Sequence, residues 1–187
     1  MQDETVRPGT EPDAETLALA RRVFQAARAG EGEVLAELLR RGLPPNLRNE
    51  KGDSLLMLAA YHGQLEAVRA LLDGGADPDL ANDRGQMPLA AAAFKGVVPV
   101  VTLLLDRGAA VDGRGEGGRT ALMVGAMFNR TEIVELLLAR GADSFLEDGA
   151  GHTALSAAEQ MGAQDTPEQL REAMDWRARQ AAQRATR

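Results

Sequence analysis

The stretch "GDSLLMLAAYHGQLEAVRALLDGGADPDL", residues 52–80, decides how the rest of the chain is read. It holds two short apolar runs divided by a glycine. The first, Leu55 to His62, is alanine-rich and stops at Gly63. The second, Leu65 to Leu72, places Leu65, Val68, Leu71 and Leu72 at helical spacing. Helices this short are unstable alone in water, so both need tertiary partners. Gly63 suits the left-handed residue that ends a helix. The same arrangement returns as "GQMPLAAAAFKGVVPVVTLLLDRGAAVDG", residues 85–113, and as "GRTALMVGAMFNRTEIVELLLARGADSFL", residues 118–146.

The shared period is 33 residues, carried by three separate registers. Gly30, Gly63, Gly96, Asn129 and Gly162 form the first; Gly52, Gly85, Gly118 and Gly151 the second; Gly42, Gly75, Gly108 and Gly141 the third. Asn129 fits its register because Asn, like Gly, visits positive φ. Pro99 falls in the first turn of its helix, where a missing N–H costs little. A unit of two short helices cannot bury both faces by itself, so such units stack.

These motifs resemble those of the ankyrin-repeat family. Its pattern of Thr-Pro-Leu-His is matched by "SLLM", "MPLA", "TALM" and "TALS", and its Leu-Leu…Gly-Ala-Asp by "ALLDGGAD", "LLLDRGAA" and "LLLARGAD". The histidine of the pattern is replaced by Met57, Ala90, Met123 and Ser156. The resemblance covers residues 16–165. It implies an all-α ankyrin-repeat solenoid of helix-turn-helix units joined by β-turn or hairpin tips. Units of 16–48, 49–81, 82–114 and 115–147 are expected, with a partial unit at 148–165, inside a repeat domain of residues 13–165. The first unit, "ETLALARRVFQAARAG", reads as one longer helix with Asp13 as its N-cap, and residues 1–12 read as a disordered segment. At the other end "DTPEQLREAMDW" opens with Thr166, Pro167 and Gln169, which suggests a capping box and a proline at the first helical position. Leu170, Ala173, Met174 and Arg177 form a stripe that can close the last unit, so residues 166–187 are expected to be a capping helix with a frayed tail.

Composition removes several classes of function. The chain of 187 residues has no cysteine, which excludes a disulfide framework, a thiolate metal site and a cysteine nucleophile. Its net charge is −7, distributed as −9 over residues 1–165 and +2 over residues 166–187. An acidic body is a poor nucleic-acid binder. No apolar run is long enough to span a membrane, and the N-terminus lacks the pattern of a signal peptide. A monomeric, cytoplasmic protein is expected. The preference for Arg over Lys, with the Ala and Gly richness, points to a high-GC bacterial genome.

Catalytic and cofactor chemistry finds little support. "GRGEGGRT", residues 113–120, satisfies G-x-G-x-x-G and comes close to a phosphate loop. Yet Gly118 and Thr120 already have places in the repeat, and a nucleotide site needs a parallel sheet around it. The extra glycines read as a more flexible tip. His62 and His152 lie in different units, so no zinc pair forms. Asp77, Asp79, Asp112 and Asp143 recur in the turn after each second helix and read as turn carboxylates bonding nearby N–H groups. No enzyme activity, cofactor or metal is expected.

The candidate site comes from what the repeat leaves free. The two residues before each inter-helix glycine include Tyr61 and His62, Phe94 and Lys95, Met127 and Phe128, and Met161. Three of the six aromatic residues fall there. By the resemblance, these positions face a concave groove and are joined at the tips by Lys51, Asp53, Arg84, Gln86, Arg119 and His152. A ladder of Tyr61, Phe94 and Met127 is expected, with His62, Lys95 and Phe128 beside it. Arg84, Lys95, Arg119 and Asp53 would set the register of a partner. The rings either bind a partner or pack on one another. The expected function is a non-enzymatic protein–protein interaction module for an unidentified partner protein. The alternative, motivated by the acidic body, is an inhibitor or immunity-type protein that blocks a basic enzyme.

Overall fold

The computed structural model describes residues 14–115 and 117–185. The expected disordered segment, the Asp13 cap and the last two residues of the tail lie outside them. Helices alternate with turns along the described residues: α1 (Ala14–Ala29), α2 (Gly32–Arg40), α3 (Leu55–His62), α4 (Leu65–Asp73), α5 (Pro88–Lys95), α6 (Val98–Asp106), α7 (Ala121–Met127), α8 (Thr131–Ala139), α9 (Ala154–Gln160) and α10 (Thr166–Ala185). Among the described residues there is no strand. Three tips close as hairpin-like turns, with the Asn49, Asn82 and Asp148 N–H groups donating to the Asp53, Gln86 and His152 carbonyls, and one isolated antiparallel bridge joins Arg48 to Ser54.

Local chemistry starts and stops these helices every 33 residues. Ser54, Thr120 and Thr153 accept, through their hydroxyls, the N–H three residues on, and so cap α3, α7 and α9. Unit three departs from this: Met87 precedes α5 and offers no cap, but Pro88 at the first helical position has no N–H to satisfy. All members of the three registers have positive φ, including Asn129 at 54°. That is the conformation a short helix needs to reverse direction into the next.

Burial runs in columns one repeat apart. Val23, Leu56, Leu89 and Leu122 form one column of the core, and Leu35, Val68, Val101 and Val134 another. Between the first helices the column is small: Ala26, Ala59, Ala92, Gly125 and Ala158 are all buried. Small residues let backbones approach closely. From unit two onward the first helices accordingly pack more tightly on one another than the Leu- and Val-rich second helices do. The stack therefore curves toward the first helices. A Cβ on Gly125 would lie 3.3 Å from the Ile133 side chain, so α7 and α8 are also held close.

Side chains stitch each unit to the next. Asn46 accepts the Asp77 N–H at 2.8 Å, Asp79 the Ala110 N–H at 3.1 Å and Asp112 the Asp143 N–H at 3.0 Å. Two of the carboxylates read as local turn groups, Asp79 and Asp112, are thus links between units. Asp77 and Asp143 do bond locally, accepting the N–H groups of Asp79 and Phe145 at 2.9 Å. Arg107 pairs with Asp73, and Arg140 with Asp106 at 2.8 Å, along the second helices.

The capping box expected at α10 does not form. The Thr166 hydroxyl donates to the Ala126 carbonyl at 2.8 Å, and the Gln169 amide donates to the Thr131 carbonyl at 3.0 Å. Both side chains are used on the preceding unit rather than on their own helix. The role of anchoring the α10 start falls to Asn129, whose Oδ1 accepts the N–H groups of Asp165 and Thr166 at 3.0 and 3.1 Å. Leu170 is fully buried beneath α10, with Ala173, Met174 and Arg177 half-buried along the same stripe.

Candidate functional site

The curvature leaves a groove of about 980 Å³ along the first helices and the tips that precede them. Its floor is apolar: Met57 and Leu58 of α3, Ala90 and Ala91 of α5, and Val124 of α7. At the C-terminal ends of these helices the rings meet. Tyr61 and Phe94 stack with centroids 5.6 Å apart and planes 9° from parallel. Phe94 then meets Phe128 edge-on, at 4.6 Å and 88°. Tyr61 also meets the His62 ring at 5.3 Å and 82°. Stacked and edge-to-face pairs at such separations are favourable beyond their burial.

The ladder differs from the expected one by one residue in the fourth unit. Its third rung is Phe128, not Met127. The cause is local: α7 ends at Met127, one residue earlier than α3 and α5 do in register, and Phe128 leaves helical geometry at φ −99°, ψ 17°. The end of the helix turns Phe128 onto Phe94, while Met127 stays half-buried in the groove wall. The ladder is both packed and open: Tyr61 remains 47% exposed and Phe128 38%.

The other candidates separate by place. His62, Asp53, Arg84, Gln86 and Arg119 line the groove, whereas Lys51, Lys95, His152 and Met161 lie outside its lining. Asp53 is drawn inward from this surface. It is 8% exposed and is held by the Asn82 amide at 2.7 Å, a link between tips. Gln86 also accepts from that Asn82 amide at 3.0 Å. Arg84 is exposed and carries no side-chain hydrogen bond or ion pair among the described residues.

Sequence reasoning missed the residues that shape the tips. Asn49, Asn82 and Asp148 are spaced by the repeat period, with Gly115 in the same register. Each Asn or Asp oxygen accepts the N–H groups two and four residues on: Lys51 and Asp53, Arg84 and Gln86, Ala150 and His152, at 2.9 to 3.1 Å. The signal was present as a period of Asn and Asp outside the glycine series. For Asp148 the His152 N–H is the main influence holding its carboxyl below the usual carboxylate range, against the opposing effect of burial; the Ala150 N–H, His152 and Arg119 help to hold it there. The Arg119 guanidinium stands 3.5 Å from the second Asp148 oxygen.

The glycine-rich "GRGEGGRT" is the third tip, between α6 and α7, with no strand before it among the described residues. Gly115 has a steric reason: a Cβ there would lie 2.1 Å from the Gly85 carbonyl oxygen. The serines are placed structurally as well. The Ser54 and Ser156 hydroxyls serve helix starts, and Ser144 is buried. No group of three or more His, Asp or Glu is arranged to hold a metal ion among the described residues, and no described helix is long and apolar enough to cross a membrane.

Comparison with known proteins agrees with this architecture. The family described as "Ankyrin repeats (3 copies)" matches residues 23–114 and 56–148. Ankyrin repeat protein PA3287 of Pseudomonas aeruginosa is 54% identical over 55 residues, which is 29% of this chain and 32% of that protein. The match thus spans about a third of that relative's length. With the 33-residue helix pairs, the positive-φ registers and the stacked columns, these matches show that the chain belongs to the ankyrin-repeat family.

Proposed function

We propose that this chain is a non-enzymatic protein-interaction module that captures a partner protein in the groove of its first helices. Ankyrin repeats indicate a protein–protein interaction module, and solenoids of this kind use their extended concave surfaces for binding. The observation that carries the reading is the ladder of Tyr61, Phe94 and Phe128. Three rings align across three units at the mouth of a concave surface and stay partly open to solvent. Core columns of Leu and Val already close the fold behind them, so the exposed ring area is surplus to packing. Links between units hold the stack together, which limits the conformational freedom lost on binding.

The test is site-directed photo-crosslinking in cells. A photoreactive residue at position 61 or 84 should capture a discrete partner. The same group at position 69, exposed on α4 and outside the groove lining, should capture none. A partner captured only from position 69 would place binding on another surface and overturn the proposal.

A further inference from the structure

The chain is acidic, with a net charge of −7, but its groove shows solvent the opposite sign. Among the described residues, the ionisable side chains that line it, besides Tyr61 of the ladder, are Asp53, His62, Arg84, Arg119 and Asp148. Both carboxylates are withdrawn. Asp53 is 8% exposed and bonded to Asn82, and the Asp148 side chain is 5% exposed and bonded to two backbone N–H groups. Arg84 is exposed without a side-chain partner among the described residues, and the Arg119 side chain is 60% exposed despite its contact with Asp148. Exposed carboxylates such as Glu66, Glu132 and Glu135 sit instead on α4 and α8, outside the groove lining.

The two features are also separated by a definite distance. Arg84 and Arg119 stand at the tips, where the first helices begin; the rings stand where those helices end. A first helix of eight residues, such as α5, spans about 12 Å at the α-helical rise. An extended peptide covers that distance in about four residues.

Resting on the reading of the groove as the partner surface, we propose that its occupant is an acidic, extended protein segment. It carries an aromatic or leucine anchor for the Tyr61–Phe94–Phe128 ladder and one or two carboxylates about four residues away for Arg84 and Arg119. Charge complementarity selects this partner. A basic enzyme would face Arg84 and Arg119 with like charge here. A polynucleotide would need a run of phosphates neutralised, and an acidic protein offers it two arginines at this surface. In the segment the anchor supplies burial, and the carboxylates fix direction and exclude basic sequences.

The experiment is a selection of random twelve-residue peptides on the immobilised full chain, with counter-selection on Tyr61→Ala/Phe128→Ala. Peptides lost on the counter-selected variant should be net negative, with an aromatic or leucine near four residues from an Asp or Glu. Fluorescence anisotropy should then show Arg84→Gln/Arg119→Gln weakening them about tenfold, as two exposed ion pairs allow. Circular dichroism checks that both variants are folded. A ladder-dependent pool that is neutral or basic overturns the acidic assignment and leaves the groove reading standing. A pool indifferent to the ladder variant, or no pool at all, overturns both. A labelled oligothymidine of twenty nucleotides that binds more tightly than the peptides, and loses binding in the arginine variant, overturns the proposal in favour of nucleic acid.

Discussion

Asn129→Gly separates what the repeat asks of this position from what the fold asks. In the register of Gly30, Gly63, Gly96 and Gly162, glycine is the rule, so the repeat alone expects the change to be harmless. The backbone agrees, since φ is 54° and glycine adopts it without strain. The side chain disagrees. Its Oδ1 accepts the Asp165 and Thr166 N–H groups at 3.0 and 3.1 Å, and its Nδ2 donates to the Asp165 carboxylate at 2.8 Å. Two of these bonds are exposed and one is half-buried, so each belongs at the low end of the usual net value of about 0.5–1.5 kcal/mol. We expect Asn129→Gly to cost about 1–2 kcal/mol. Asn129→Ala should cost about 1 kcal/mol more, from left-handed backbone strain. For a chain of this size each kcal/mol lowers Tm by about 2–4 °C. Because each unit touches only its neighbours, the loss should fall on the α8–α10 end. Urea denaturation followed by circular dichroism gives the stability, and hydrogen exchange of α10 amides gives the location. A Gly variant as stable as the parent, with α10 protection unchanged, would refute the claim that this side chain couples the last repeat to α10.

Two further outcomes follow from the tips. Gly115→Asn restores the Asn seen at positions 49 and 82, yet it should destabilise by about 1–3 kcal/mol, because the added Cβ meets the Gly85 carbonyl, which is backbone and yields poorly; a thermal melt in which this variant is more stable than the parent would show that the tips can separate. Asp148→Asn should stay within about 0.5 kcal/mol at pH 7 because an amide oxygen can accept the same N–H groups, while Asp148→Ala should cost about 1–2 kcal/mol. Asp148 has a lowered folded pKa, so its charge stabilises above the unfolded value of about 3.9, and that stability is lost as pH falls below it toward the folded pKa. Glu31 and Glu37 are lowered too, by Arg22 and Arg41, so the comparison is parent minus Asp148→Asn across pH 2–6. A difference that does not shrink on acidification would show that the Asp148 charge contributes nothing.

The repeat was legible because its requirements are local. Glycine at Gly63 and Asn at Asn129 state a backbone angle; Leu55 to His62 and Leu65 to Leu72 state two short apolar elements; a period of 33 states that they stack. The observed helices begin at Leu55 and Leu65 and follow those statements closely. The placement of Tyr61, Phe94 and Phe128 at helix ends on one face could also be read from the register. Which rings touch could not. That turned on α7 ending one residue early, which shifted the third rung from Met127 to Phe128.

Charge shows the same division more sharply. By itself the sequence determined an acidic, cysteine-free stack of helix pairs, because net charge, composition and a repeating backbone pattern are properties of the chain in order. Only the tertiary structure decided that Asp53 is turned inward to Asn82, that Thr166 and Gln169 serve the preceding unit, and that the groove of an acidic protein presents arginine to solvent. The physical reason is distance. Those bonds join residues 29 to 40 positions apart, and whether two such groups meet depends on how one unit lies on the next.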